Sequence, residues 1–365
     1  MKSDQKKMEC HGSIPPWLLV VWCGLLNACS PGGELPTDIK TIEIPSADLR
    51  SMAIESNGRY LYVADYSLSR IHRINLAVPQ YDYQTSITVD GRPVALSLSK
   101  DEQTLFVAIE RDGAGQLAAV STSDGSSFET IKLDGTPANL TRAQSDVLYV
   151  DIKSASSSIP AYKFGFNPQL QSSSLITGDD LVGASHNGQW LVTASPDFSD
   201  TPRVTLYDIG QSPPVAHLLG ELFGSRLTKQ GKVAFSPDDR ELYVFSDGTT
   251  SQGDNFPACQ LSGDLSQCKL LRRFDVPFLP NAFAVSSITG RALIAHGTDK
   301  NQWRPMQHDL SIPDLHVYDP ATSAELGSIA LPAHVHSDGI RVGNNGTVYL
   351  LLGEQTASTI AIVTP

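Results

Sequence analysis

Long apolar runs are scarce in this chain of 365 residues, and so are cysteine, tryptophan and positive charge. One stretch alone, from Ile14 to Ala28, stays apolar for about fifteen residues, short of the roughly twenty that a membrane-spanning helix needs. Lys and Arg number 27 against 39 Asp and Glu, a formal charge of −12. That balance argues against nucleic acid as a partner and against electrostatic docking on anionic lipid. No G-x-S-x-G elbow, H-E-x-x-H pair or Walker loop is present, so no motif designates a catalytic residue. A C-x-x-C-H haem site is also missing, which removes the simplest electron-transfer reading.

The apolar stretch follows Lys2, Lys6 and Lys7, the basic and apolar regions of a secretory signal. It ends in Leu26-Asn27-Ala28-Cys29, which resembles the bacterial lipobox, where a small residue precedes the cysteine that is acylated and becomes the new N-terminus. Asn27 departs from the usual small or aliphatic residue. The resemblance implies a lipoprotein signal at 1–28 and a lipid on Cys29. Each buried methylene of such a lipid contributes about 0.8 kcal/mol, and more than one chain anchors stably. Residues 29–37, rich in Gly and Pro, read as a flexible tether. Ser30 is not the aspartate that favours inner-membrane retention, so the resemblance points to the outer membrane, with the protein facing the periplasm or the cell surface. Removal of 1–28 takes away three lysines, Asp4 and Glu9, leaving 24 basic and 37 acidic residues, formally −13. Cys10 and Cys23 leave with the signal, and the remaining pair, Cys259 and Cys268, reads as a disulfide in an oxidising compartment. Closing so short a loop contributes roughly 2 to 3 kcal/mol.

Residues 38–365 repeat one phrase. SNGRYLYVAD at 56–65 recurs as SKDEQTLFVA, AQSDVLYVD, SHNGQWLVTA and SPDDRELYVF, with weaker copies in SITGRALIAH and GNNGTVYLLL. Aligned on Leu61, Leu105, Leu148, Leu191, Leu242, Leu293 and Tyr349, the spacings are 44, 43, 43, 51, 51 and 56. Each phrase is a polar turn followed by an unbroken apolar run, the mark of a strand covered on both faces. With one further apolar segment before it and two after, each unit has four strands, the size of a propeller blade. The predicted fold is therefore all-β, a seven-bladed β-propeller of four-stranded blades. The seventh unit ends one strand short, and IKTIEI at 39–44 has no blade of its own. Pairing the two closes the ring and removes an exposed edge.

The LYVAD, LFVAI, LYVDI and LYVFS phrases after Ser-Pro-Asp-Asp-like turns resemble the YVTN-type and lactonase-like seven-bladed propellers of secreted bacterial proteins. The Gly-His and Trp-Asp signatures of WD40 blades are absent. The resemblance specifies a blade and not a reaction. It leaves two function classes open: a binding or protein-interaction module of the envelope, which the missing motifs favour, and a lactonase-like hydrolase or metal-assisted lyase working at the channel mouth.

Topology narrows the place. The long connection HGTDKNQWRPMQHDLSIPD at 296–314 should open on the same face as PAHVHSDG at 332–339. His296, Trp303, His308, His334, His336 and Asp338, with Asp299 and Asp309, are thus the candidate ligand-binding residues. Imidazoles with carboxylates suit a divalent metal, acid–base work or a ligand clamp, and Trp303 a stacking wall. No resident cofactor is required. The expected partners are a membrane, reached through the lipid, and an envelope protein or small ligand at the mouth. Ser185 beside His186, and the aspartates 197, 200, 247 and 254, read as blade turns rather than as a triad or calcium ligands.

Overall fold

Each repeated phrase folds as a tight turn and the second strand of an antiparallel sheet. The computed structural model describes Leu35 and residues 38–364 apart from 79–80, 82–84, 144–145, 154–157, 164–168, 171–175, 178–179, 195–203, 212–213, 220–231, 246–254, 262–268, 276–279, 297–312 and 354–355. Every regular element among the described residues is a strand, and no helix among them is long and apolar enough to cross a membrane. The signal at 1–28, Cys29 and most of the tether lie outside the described residues.

Six blades are each folded from one stretch of chain. The first comprises Leu49–Ile54, Tyr60–Asp65, Arg70–Asn75 and Ser86–Thr88. The second comprises Arg92–Leu98, Thr104–Arg111, Ala114–Ser121 and Ser127–Leu133. The third has Thr136–Arg142, Val147–Lys153, Ala161–Lys163 and Gln169–Leu170 among the described residues. Beside it Ser158–Ile159 pairs with Ile176–Thr177 in a separate two-stranded sheet. The fourth is Asp180–Ala184, Trp190–Ala194, Val204–Asp208 and Val215–Leu218, and the fifth is Lys232–Phe235, Glu241–Phe245, Asn255–Gln260 and Lys269–Asp275. The sixth is Pro280–Val285, Ala292–His296, Asp314–Asp319 and Ala324–Ala330.

The sequence leads one to expect seven four-stranded blades, the last closed by the N-terminal strand; six are each folded from one stretch of chain. The seventh phrase supplies only Val335–Val342, Val348–Leu352 and Thr359–Thr364. Its sheet is completed from the other end of the chain, where Asp38–Glu43 pairs antiparallel with Thr359–Thr364, Ile42 opposite Ile360. Inner strands touch in sequence from the first blade through the sixth to this composite sheet, and its inner strand returns to the first. The edge of the last sheet is thereby covered.

The aligned residues explain the apolar phrase. Leu61, Leu105, Leu148, Leu191 and Leu242 are wholly buried, and Leu293 and Tyr349 nearly so. Neighbouring sheets share them: Tyr62, Ala64 and Ile71 of the first blade pack with Leu96, Leu105 and Val107 of the second. Truncating one such leucine to alanine costs roughly 2 to 5 kcal/mol.

The turns before these strands lock successive blades together. Their fourth position takes a left-handed backbone, supplied by Gly58, Gly188 and Gly346, and one place later by Gly290 in the sixth, yet three units place an acid at the fourth, Glu102 (φ 59°), Asp146 (φ 56°) and Asp239 (φ 55°). Each acid accepts from the turn of the preceding blade: the Ser56 N–H donates to Glu102 Oε1 at 2.6 Å, and the Lys100 N–H to Asp146 Oδ1 at 3.0 Å. Asp239 goes further, taking the N–H of His186 on Oδ1 at 2.9 Å and that of Asn187 on Oδ2 at 2.8 Å. The hydrogen bonds offset the strain of the left-handed backbone.

Candidate functional site

The second strand of the sixth blade ends at His296 and the third begins at Asp314, so the connection 297–312 leaves and returns at this point. Register pairs Ile294 with His316 and Ala295 with Leu315. Strand alternation then puts Ile294, His296, Asp314 and His316 on one face of the sheet. All three polar members are buried.

Asp314 Oδ1 lies 2.9 Å from His296 Nε2 and 3.1 Å from His316 Nε2. The ligand atoms of the three residues are all within 4.8 Å of one another. On the far side of the His316 ring, Nδ1 is 2.7 Å from Glu325 Oε1 on the outer strand. His334, on the approach to the inner strand of the composite sheet, sets its ring edge-on to His296 with centroids 5.3 Å apart. It is buried, and its Nδ1 has no hydrogen-bond partner among the described residues. Asn281 bridges the two sheets here, donating from Nδ2 to the Val335 carbonyl at 2.7 Å.

Sequence reasoning brought His296 and His334 to one sector, and the structure places them in contact. His336, also a candidate, is not part of that contact. His336 is partly exposed and its Nδ1 lies 3.1 Å from the carbonyl of its neighbour Ser337. Two residues apart they would share a face of a regular strand, but the register shifts between Val335 and Ile340, and His334 is buried where His336 is partly exposed. Trp303, His308, Asp299 and Asp309 lie outside the described residues, and so does the side chain of Asp338. Asp197, Asp200, Asp247 and Asp254 lie outside them too. Ser185 caps its own turn, taking the Trp190 N–H on Oγ at 2.9 Å, while His186 reaches Asp239 of the next blade. Neither residue is arranged as a catalytic pair. The proposed disulfide also falls outside the described residues: backbone register sets Leu270 opposite Cys259, and Cys268 is not described.

Asp314 and His316 were missed. In DLHVYD at 314–319 the aspartate, the histidine and Tyr318 alternate as one face of a strand, and RIHRIN at 70–75 carries His72 in the same place of the first blade. Aligning third strands as well as second strands exposes the pair. The first blade shows what that position does on its own. His72 Nε2 lies 2.9 Å from Asp65 Oδ2, while Ser67 Oγ and the Leu68 and Asp48 N–H groups donate to Oδ1. Burial raises the Asp65 carboxyl, but these donors outweigh it and hold it below its ordinary 3.8. That carboxylate is saturated by structural donors.

No protein-family model matches the chain, and no curated protein does. Solved structures do. Kuenenia stuttgartiensis hydrazine synthase superposes with a TM-score of 0.65 at 11% identity, over 92% of this chain and 99% of that one. The β-propeller domain of Myceliophteria thermophila Cps50 (Swd1) superposes with a TM-score of 0.65 at 10% identity, over 90% of this chain and 100% of that one. At such identities the likeness establishes the fold, a β-propeller, and nothing about chemistry.

Proposed function

We propose that the chain is a propeller lipoprotein of the bacterial envelope, tethered to the outer membrane through Cys29, and that it works as a binding or protein-interaction module. We count the composite sheet as the seventh blade of a ring closed by the N-terminal strand, as in YVTN-type propellers. The basic and apolar leader ending in Cys29 supports the anchor. The observation that carries the binding reading is the buried cluster of His296, Asp314, His316 and His334 at the root of the connection 297–312. Buried polar side chains brought together at one end of an otherwise apolar blade fix the base of a surface built for recognition. A hydrolase or lyase reading draws on the same residues, because imidazoles held by a carboxylate can move protons.

The test is capture of a partner or ligand from solubilised envelope by the full-length chain. Trp303→Ala and His308→Ala should weaken retention of whatever the wild type holds. Asp238→Ala, on a turn at the other end of the blades, should not. Equal retention by the Trp303 and His308 variants, with loss in Asp238→Ala, overturns the assignment.

A further inference from the structure

We propose that His296, Asp314 and His316 form a binding site for a first-row divalent transition ion, with zinc as its test occupant and His334 beside the remaining coordination position. The proposal rests on the reading that this end of the sixth blade is the functional surface, and it adds the chemistry of that surface.

Separation is the first argument. Two donors bound about 2.0 Å from a tetrahedral ion stand roughly 3.3 Å apart. The two Nε2 atoms lie 2.9 and 3.1 Å from Asp314 Oδ1, close to the edge length of a coordination polyhedron. Small outward movements of side chains already on one sheet face admit an ion.

Proton placement is the second argument. His316 Nδ1 lies 2.7 Å from Glu325 Oε1, and a neutral ring that donates there carries its lone pair on Nε2. That lone pair then confronts Asp314 Oδ1 at 3.1 Å, acceptor against acceptor. A cation held by both atoms removes the conflict. The Glu325–His316 contact is also the carboxylate–histidine pairing that orients metal-bound imidazoles and raises their basicity.

His334 supplies an independent observation. Among the described residues its buried Nδ1 has no hydrogen-bond partner, and its ring abuts that of His296. Leaving such a nitrogen unsatisfied costs about 1 to 3 kcal/mol. An ion, or water on that ion, gives it a partner. The corresponding pair in the first blade, Asp65 and His72, combines one imidazole with a carboxylate filled by hydroxyl and backbone donors, which marks it as structural. The sixth blade differs by a second imidazole, a carboxylate behind the first, and a third imidazole alongside. Two nitrogens and one oxygen select a transition ion over calcium or magnesium, which require several oxygens.

The experiment uses the full-length chain in detergent, stripped with chelator and dialysed against Zn²⁺ or Co²⁺. Metal analysis should find about one ion per chain, and Co²⁺ should give visible d–d bands of a low-coordinate site. Asp314→Asn and His316→Ala should abolish binding. Glu325→Gln, at a partly exposed outer-strand position where folding is not at stake, should weaken it by about 10- to 100-fold. His72→Gln, checked for folding by circular dichroism, should bind as the wild type does. A wild-type chain that takes up no ion overturns the site, as does undiminished affinity in His316→Ala and Glu325→Gln. Loss of the ion in His308→Ala with retention in His316→Ala overturns it too. Partner retention in Trp303→Ala is read separately, so the binding reading stands or falls independently of the metal.

Discussion

Replacing Asp239 tests the idea that carboxylates on left-handed turns hold neighbouring blades together. Its oxygens accept the backbone N–H groups of His186 and Asn187 at 2.9 and 2.8 Å, and His186 Nδ1 lies 2.9 Å away. Hydrogen bonds to charged groups contribute about 1.5 to 3 kcal/mol each, and water replaces part of that loss because the His186 ring is half exposed. Alanine also meets about 1 kcal/mol of left-handed strain, so Asp239→Ala should cost about 3 kcal/mol. Glycine loses the bonds and relieves the strain, which predicts about 2 kcal/mol. Asparagine keeps one acceptor and tolerates the backbone, at about 1 kcal/mol. Asp238→Ala, whose exposed carboxylate serves only its own turn, should cost less than about 1 kcal/mol. Urea unfolding followed by circular dichroism ranks the series, provided the slopes agree. Burial pushes the Asp239 carboxyl up, but the donations from His186 and Asn187 outweigh it and leave it below 3.8. Its contribution is therefore complete above the unfolded value of about 3.9 and disappears as pH falls through the lowered folded value. The gap between wild type and Asp239→Asn should close over that acid range. Glycine proving worse than alanine refutes the strain argument, and Asp239→Ala indistinguishable from Asp238→Ala refutes the latch.

Two further outcomes concern the cysteines. Cys29→Ala should lose labelled palmitate and leave the membrane fraction, whereas unchanged incorporation and fractionation reject the lipoprotein reading. Cys259 and Cys268 should appear as one disulfide-linked peptide in non-reduced mass spectrometry of chain made in an oxidising compartment, and two free thiols reject the bridge.

The fold was legible because burial on both faces imposes a plain signal. Leu61, Leu105 and their counterparts sit in unbroken apolar runs, and their spacing reveals the unit even where identity between copies is low. The turn latch was illegible for a physical reason. Glu102, Asp146 and Asp239 look like ordinary turn acids, and only the structure shows that each occupies the glycine position and reaches the preceding blade. The candidate site was half legible. Loop length marked the place, but reading 296–314 as one loop absorbed Asp314 and left His316 unexamined on the strand beyond.

Chain length bears on where function resides. The turns between first and second strands hold to one pattern around the ring, because each is tied to its neighbour by a carboxylate or closed by a glycine. Insertions there would break contacts between blades. The wider spacings of 51, 51 and 56 have to be accommodated elsewhere, and strand limits show where. Residues 195–203, 246–254 and 297–312 each follow a second strand, and 219–231 joins the fourth blade to the fifth. Sequence reasoning singled out only the connection of the sixth blade; the surplus belongs to three consecutive blades. All of these segments start from the end of the blades opposite the latched turns. Length added between the strands of a blade is retained where recognition can use it, since connections tolerate variation that packed sheets do not. The buried histidines at the root of the connection 297–312 give that end a feature that apolar packing does not require.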